Sequence, residues 1–262
     1  MDKINWCMVN PFGRLTLITG TDAVEALKKS RVIVVGLGGV GSWCAEALVR
    51  SGIGSISIVD FDTVCVSNIN RQAQASSKTI GRLKAEALEE RLKDINPSCE
   101  VASFSGFFSG ETAEALNIPG ADYIIDAIDV LRSKLDLIEI SLAAGKRLFS
   151  SMGMAQKLDP TLIRTADIWD TSGCPLARLV REGLRKRNCQ RHFTAVYSPE
   201  RLPRQEVANQ GEPAENSGGK KVINGSAVTV TATAGMVLAS LVIRDVYARF
   251  NQEGYNTGGH CE

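Results

Sequence analysis

The segment 32–50 constrains the fold more strongly than any other part of the chain. It begins with an apolar, β-branched run, Val32 to Val35, and continues with Gly36, Gly38 and Gly41 in the spacing G-x-G-x-x-G. Small and apolar residues follow at helical spacing. A strand, a glycine turn and a helix start in this order direct backbone N–H groups and the positive end of a helix dipole at one point. The segment therefore predicts a binding site for a phosphate chain.

Strand and helix patterns alternate in the residues that follow. The predicted strands are 31–35, 55–60, 100–104, 123–126 and 147–150, and the predicted helices are 22–29, 41–50, 81–95, 110–117 and 131–145. This alternation is typical of a doubly wound, mostly parallel α/β sheet. After residue 152 the pattern changes. Strands at 162–167 and 193–197 are expected to extend the sheet in antiparallel fashion, next to a basic helix at 175–188 and a long helix within 226–250.

Composition and charge exclude several classes of protein. The hydrophobic content of 44% and the formal net charge of +1 are those of an ordinary globular chain, so bulk charge favours no particular partner. Residues 1–10 lack a basic start followed by an apolar core, so we expect no signal peptide. The apolar run 227–242 is short and interrupted by Thr, Ser and Gly, which favours a buried helix over a membrane span.

The cysteines argue against a zinc site. There are 7 of them, scattered along the chain without a C-x-x-C pair. This spacing excludes the usual four-cysteine zinc site and gives no support to a disulfide framework. We therefore expect no zinc and a cytoplasmic location, where thiols remain reduced.

Polar residues after the predicted strands indicate which phosphate compound is bound. Asp60 ends the second strand, where an acidic residue can hold ribose hydroxyls. Asn68, Arg71 and Lys84 follow, and Asp129 lies just beyond the fourth strand. An arginine, a lysine and a free carboxylate suit a triphosphate with Mg²⁺, whereas the pyrophosphate of a redox dinucleotide needs less cationic compensation.

Two further acidic residues leave alternatives open at this point. Asp62 either caps the loop after the second strand or contacts the nucleotide or its cation. Asp126, at the end of the fourth strand, is either a structural acid or a ligand.

Together these motifs resemble the E1-like (ThiF/MoeB-type) adenylating enzymes, which are related to the ubiquitin-activating enzymes. The resemblance covers residues 14 to about 150 and rests on Gly36-x-Gly38-Gly39-Val40-Gly41, Asp60-x-Asp62, Ser67-Asn68-x-x-Arg71-Gln72, Lys84 and Asp129. It implies a Rossmann-like fold and the ATP-dependent adenylation of a carboxylate, with release of pyrophosphate.

The resemblance also implies a role for each residue. The nucleotide-binding set would be Gly36, Gly38, Gly39, Gly41, Asp60, Asp62, Asn68, Arg71, Lys84 and Asp129. Within it, Asp60 would hold the ribose, Arg71 and Lys84 would contact phosphates with Asn68, and Asp129 would hold Mg²⁺. Arg14 is similar to an arginine that reaches the γ-phosphate bound by the other subunit. The implied enzyme is a homodimer with Arg14, Arg71, Lys84 and Asp129 as its catalytic residues.

Nearly the whole chain resembles one branch of this family, the tRNA threonylcarbamoyladenosine dehydratases. The similar segments are Val35 to Trp43, Asp126-Ala-Ile-Asp129 with Lys134, Cys174-Pro-Leu-Ala-Arg178, Ala195-Val-Tyr-Ser198 and Gly225-Ser226. This implies ATP-dependent cyclisation of the threonylcarbamoyl adenosine in tRNA. The alternative is an adenylyltransferase that activates a ubiquitin-like sulfur carrier protein, against which the absence of paired zinc cysteines counts.

The resemblance implies further partners and a division of the chain. Residues 1–262 would form a single E1-like domain, with 31–150 as its ATP-binding half. Residues 151–250 would serve tRNA binding and dimerisation and would include a mobile loop at 199–221. Arg178, Arg181, Arg185 and Lys186 on the basic helix would contact tRNA, or else form a solvated face. A monovalent cation and a sulfur-transfer partner protein are further candidates.

Overall fold

The computed structural model describes residues 10–203 and 225–250. Its helices are α1 (Gly13–Thr19), α2 (Thr21–Lys29), α3 (Gly41–Arg50), α4 (Lys84–Ile95), α5 (Gly110–Ala115), α6 (Leu131–Ala143), α7 (Pro175–Lys186) and α8 (Val228–Phe250). Its strands are β1 (Arg31–Val35), β2 (Ser55–Val59), β3 (Glu100–Phe104), β4 (Tyr123–Asp126), β5 (Arg147–Ser151), β6 (Arg164–Asp167) and β7 (Thr194–Tyr197).

The strands form one sheet in the order β3-β2-β1-β4-β5-β7-β6. All neighbouring pairs are parallel except β6 and β7, which are antiparallel. The order reverses direction between β1 and β4, which defines a doubly wound sheet. The predicted fold class is confirmed. One detail differs from the prediction that both C-terminal strands are antiparallel. Strand β7 runs parallel to β5, and only β6 is antiparallel to its neighbour.

Apolar cores cover both faces of the sheet, as the strand period of two requires. Val32 and Val34 of β1 belong to the core that also contains residues of α3, α4 and α8. Ile33 and Val35, which point the other way, belong to the core on the side of α6 and α7. The helices therefore sandwich the sheet.

Helix α8 is long and apolar enough, by length and composition alone, to cross a membrane. Val230, Ala234, Leu238 and Val242 on it are buried in the core against α3. The approach is close, because a Cβ atom added to Gly235 would lie 2.5 Å from the carbonyl oxygen of Val40. This packing agrees with the prediction of a buried helix.

Several predicted boundaries differ from the structure. Helix α4 begins at Lys84, not at residue 81, because Gly81 has a φ of +84° and Leu83 pairs with Thr63 in an isolated β-bridge. Most of the loop 199–221 and the tail after residue 250 lie outside the described residues. The division of the chain at residue 150 stays a prediction.

Candidate active site

The predicted nucleotide-binding residues meet at one edge of the sheet, where β1, β2 and β4 end. This edge includes the point at which the strand order reverses, the usual ligand position in open α/β sheets. The glycine loop follows β1, Asp60 follows β2 directly, and Asp129 follows β4.

The glycines of the loop have different structural requirements. Gly36 has a φ of +90°, and a Cβ atom there would lie 2.6 Å from the carbonyl oxygen of Ala127. A Cβ atom on Gly41 would overlap the carbonyl oxygen of Gly36. At Gly38, in contrast, a Cβ atom would meet nothing within 4 Å. Gly36 and Gly41 are therefore required by the fold, whereas Gly38 faces open space at the edge where a phosphate would lie.

This difference predicts opposite consequences for two alanine variants. We expect Gly36→Ala to lower the free energy of unfolding by at least about 1 kcal/mol, through strain at positive φ and the clash with Ala127. We expect Gly38→Ala to change the free energy of unfolding by less than about 0.5 kcal/mol. The same variant should weaken ATP binding about tenfold, because its methyl group would occupy the position proposed for a phosphate. Urea denaturation and calorimetric ATP titration measure both effects. A Gly38→Ala variant that binds ATP normally would contradict this assignment.

Asp60 connects the glycine loop to the end of β2. Its carboxylate accepts hydrogen bonds from the backbone N–H of Leu37 at 2.6 Å and of Asp62 at 2.9 Å. Burial raises the pKa of Asp60, and the nearby Lys84 and the two backbone donors act in the opposite direction. A carboxylate has further lone pairs beyond these two bonds, so Asp60 can still accept ribose hydroxyls.

Lys84 and Asp62 form an ion pair beside this carboxylate. The ammonium of Lys84 lies 2.7 Å from an oxygen of Asp62, and the backbone N–H of Lys84 donates to the carbonyl of Asp62. Lys84 is buried, whereas the side chain of Asp62 is 47% exposed. The structure thus gives Asp62 a definite contact, which holds the Lys84 ammonium next to Asp60.

The segment 65–71 packs against the glycine loop. Asn68 is buried, and its side-chain oxygen accepts the backbone N–H of Cys65 at 3.1 Å. The guanidinium of Arg71 donates to the carbonyl of Ser67 at 2.9 Å, and a Cβ atom on Gly39 would lie 3.2 Å from Cγ of Arg71. Arg71 therefore lies directly beside the loop that is predicted to bind phosphates.

The two acidic residues after β4 have different environments. Asp126 is fully buried, lies 2.8 Å from the ammonium of the equally buried Lys134, and accepts hydrogen bonds from Ser150 Oγ and the N–H of Ile128. The Lys134 ammonium also donates to the carbonyl of Ile128 at 3.0 Å. Asp126 is therefore a structural acid that shapes the loop 127–130, which answers the open alternative. Asp129 on that loop is exposed and makes no hydrogen bond or ion pair with any residue of 10–203 or 225–250.

The donor set at this edge suits Mg²⁺ only in the presence of a phosphate ligand. In the described part of the chain, no group of three or more His, Cys, Asp or Glu side chains could hold a metal ion. Mg²⁺ commonly binds through one or two carboxylates together with substrate phosphates and water. A single exposed carboxylate, Asp129, at the same edge of the sheet as Lys84 and Arg71 fits that mode.

An aromatic pair borders the site and was missed as a site feature from the sequence. Phe61, directly after Asp60, and Phe107, shortly after β3, have ring centroids 5.2 Å apart and are 51% and 46% exposed. Exposed aromatic faces next to a ribose-binding carboxylate can stack on a nucleobase. The position of Phe61 immediately after Asp60 was the signal available in the sequence.

Arg14 is not brought to this site within one chain. It is exposed on α1, and the ring of the preceding Phe12 packs against Gly52. Gly52 follows the C-terminal end of α3, whereas the glycine loop precedes its N-terminal end. Ten residues of helix, about 15 Å, separate the two ends. Arg14 therefore lies toward the opposite edge of the sheet.

The predicted tRNA-contact residues on α7 have mostly intramolecular partners. Arg178 pairs with Glu182 at 2.9 Å, and the guanidinium of Arg181 donates to Thr171 Oγ1. Arg185 stacks over the ring of Trp169 at 5.2 Å. Lys186 is exposed. Only Arg178 and Arg181 of the four line a cavity, which is described below.

Comparison with known proteins agrees with a nucleotide-binding enzyme of the adenylating class. The model of the ThiF family matches residues 12–256. The chain belongs to the ThiF family.

Its relatives include dehydratases of near-equal length. The tRNA threonylcarbamoyladenosine dehydratase of Bacillus subtilis is 38% identical over 245 residues, which cover 91% of this chain and 95% of the relative. The crystal structure of the Escherichia coli enzyme of that name, TcdA, in complex with ATP is 33% identical and superposes with a TM-score of 0.81 over 97% of this chain and 100% of that chain. The molybdopterin-synthase adenylyltransferase of Escherichia coli is 38% identical over 108 residues, or 41% of this chain.

Proposed function

We propose that this protein catalyses the ATP-dependent dehydration of N6-threonylcarbamoyladenosine in tRNA to its cyclic form, through adenylation of the substrate carboxylate. The observation that carries the proposal is the convergence of Asp60, Arg71, Lys84 and the exposed Asp129 at one edge of the sheet. The similarity to dehydratases over most of the chain, one of them solved with ATP, supports the assignment of the carboxylate to the tRNA nucleoside.

The first step transfers AMP to the substrate. The threonyl carboxylate attacks the α-phosphorus of ATP, the bond to the bridging oxygen breaks, and pyrophosphate leaves. Arg71 and Lys84 stabilise the negative charge that develops on the leaving group, and Asp60 fixes the ribose. Asp129 would hold Mg²⁺, which supplies additional positive charge at the phosphates.

The second step needs no nucleophile from the enzyme. A group of the same threonylcarbamoyl arm attacks the activated carboxyl carbon, and AMP leaves as a free nucleotide. Since both reacting groups belong to one substituent, proximity supplies much of the acceleration. Counted over both steps, the substrate loses one water, and ATP becomes AMP and pyrophosphate.

We further propose that the active enzyme is a homodimer in which Arg14 reaches the nucleotide of the other subunit. The position of Arg14 toward the opposite edge of its own sheet supports an action in trans. Exposed Leu17 and Ile18 on the same helix, 87% and 77% accessible, offer an apolar surface for a second copy.

This arrangement predicts that two inactive variants restore activity when combined. Arg14→Ala and Asp129→Asn are each expected to be inactive. When both are co-expressed and mix at random, half of the dimers are mixed and each carries one intact site, so about a quarter of the wild-type activity returns. Nucleoside dehydration per milligram of purified protein measures it. If Arg14 acted in cis, no combination would recover activity.

The sulfur-carrier alternative is tested by the choice of acceptor. Pyrophosphate release is compared with threonylcarbamoyl-modified tRNA and with a ubiquitin-like carrier that ends in Gly-Gly. The proposal requires that the modified tRNA causes pyrophosphate release. Release with the carrier protein but not with the modified tRNA would overturn it. A monovalent cation, a sulfur-transfer partner and a cytoplasmic location stay predictions, and the two-step reaction above requires none of them.

A further inference from the structure

A cavity lies at the same edge of the sheet as the candidate nucleotide site. It is enclosed by the segment after β5, the start of α7 and the segment after β7, and its volume is about 570 Å³. This size is within the range of about 300–1,000 Å³ typical of ligand pockets. We call it the basic cavity. Its main polar lining residues are Gln156, Lys157, Arg178, Arg181, Glu200 and Arg201.

Lys157 provides a positive charge in the wall of the basic cavity that no carboxylate of the described residues meets in an ion pair. It is 6% exposed, and its ammonium donates to the backbone carbonyl of Glu200 at 2.6 Å. The carboxylate of Glu200 accepts the N–H groups of Leu158 and Asp159 instead, each at 3.0 Å. Among the described residues, no carboxylate forms an ion pair with Lys157. A buried ammonium without an ion-pair partner is costly, so the site favours an anion.

Three further features reinforce this preference. Burial lowers the pKa of Lys157, whereas the nearby Cys174 and Glu200 raise it. A bound anion would also raise the pKa, because it stabilises the charged form of the lysine. Helix α7 starts at the cavity wall with Cys174 as its N-cap and without a side-chain cap, so its first N–H groups and its dipole are available to an anion. Arg201 donates from Nε to the carbonyl of Gly173, which leaves its terminal nitrogens for other acceptors.

The basic cavity is connected to the nucleotide site through residues 225–226. The N–H of Gln156 donates to the carbonyl of Gly225 at 2.9 Å, and the side chain of Asn70 donates to the carbonyl of Ser226 at 3.0 Å. In the sheet, β5 lies next to β4, whose end leads to Asp129. Adjacent strands are about 5 Å apart. A molecule in the cavity can therefore extend toward the α-phosphate of ATP.

We infer that the basic cavity takes one nucleotide of the substrate RNA and holds its phosphate between Lys157 and the start of α7. The inference rests on the proposed function, since it assigns the RNA subsite of that reaction. The volume exceeds what a free phosphate needs, and exposed Arg178 and Arg201 at the rim can follow the strand as it continues. The dense positive charge selects a polyanion over a protein surface of mixed charge.

The test measures RNA affinity separately from ATP affinity. Lys157→Met keeps the length of the side chain and removes its charge, and Arg201→Gln is an exposed second variant that preserves folding if the buried one does not. We expect each to weaken binding of the modified tRNA at least about tenfold and to lower the slope of log K against log salt by about one. The affinity for ATP, measured without RNA, is expected to remain unchanged. Fluorescence anisotropy of a labelled anticodon stem-loop and calorimetric ATP titration give these values.

Lys146→Met serves as the matched control, because Lys146 precedes β5 at the opposite edge of the sheet. It makes the same charge change and is expected to bind RNA as the wild type does. If both cavity variants bound the modified tRNA with wild-type affinity and salt slope while the wild-type enzyme was active, the inference would be overturned and the proposed function would stand. If the wild-type enzyme bound RNA but did not dehydrate it, the proposed function would fail instead.

Discussion

Replacement of Asp129 by asparagine is expected to abolish most dehydration activity without affecting the fold. The side chain is exposed and has no hydrogen bond or ion pair within the described residues, so we expect the free energy of unfolding to change by less than about 0.5 kcal/mol. Loss of the carboxylate removes the one protein ligand proposed for Mg²⁺ at the phosphates. We expect kcat to fall about 100- to 1,000-fold, the size of effect found when one group that stabilises transition-state charge is removed.

The position of Asp129 also predicts how the loss depends on magnesium. Higher Mg²⁺ concentrations should partly restore the rate of Asp129→Asn, whereas ATP binding in the presence of a chelator should match the wild type. Asp94→Asn, an exposed aspartate on α4, is the charge-matched control and is expected to be fully active. An Asp129→Asn variant that releases pyrophosphate with modified tRNA at the normal rate would remove Asp129 from the site.

The second large effect concerns stability. Lys134→Met should lower the free energy of unfolding by about 3–5 kcal/mol, because it leaves the carboxylate of Asp126 buried and without its counter-charge. The pair is fully buried at 2.8 Å and also holds the loop that carries Asp129. Urea denaturation measures the loss, and residual folded enzyme should show reduced activity as well.

A double variant separates the ion pair from simple packing. Asp126→Asn combined with Lys134→Met removes both charges. We therefore expect the free energy of unfolding lost in the double variant to be about 1–3 kcal/mol smaller than the sum of the losses in the two single variants. Arg132→Met, an exposed cation on the same helix, is the control and should change stability by less than about 0.5 kcal/mol. Strict additivity of the two single losses would contradict a coupled buried pair.

Much of the fold and the core of the site could be predicted from local sequence patterns. The glycine loop, Asp60 and Lys84 are all placed by the strand or helix next to them, and the edge at which parallel strands end then brings them together. The parallel direction of the strands β1 to β5 follows from the same alternation, whereas their order in the sheet does not. The direction of β7 did not follow, because a short strand between loops carries no signal for parallel or antiparallel pairing.

Features that depend on distant contacts were not predictable. Asp126 could be assigned a structural role only once Lys134 and Ser150 were seen around it. Lys157 carries no recognisable motif. Its importance comes from its burial near the start of α7 and from the hydrogen bonds that the Glu200 carboxylate accepts from backbone N–H groups instead of pairing with Lys157. Likewise, spacing alone could not show that most of the basic residues on α7 are held by neighbours within the chain.

Mass analysis of tRNA nucleosides shows whether the protein dehydrates its proposed substrate. Threonylcarbamoyl-modified tRNA is incubated with the enzyme and ATP, digested to nucleosides and compared with a reaction without ATP. We expect an ATP-dependent conversion of N6-threonylcarbamoyladenosine to a product lighter by one water, with AMP and pyrophosphate formed in equal amounts. An unchanged nucleoside in the presence of folded enzyme that binds ATP would contradict the proposed reaction.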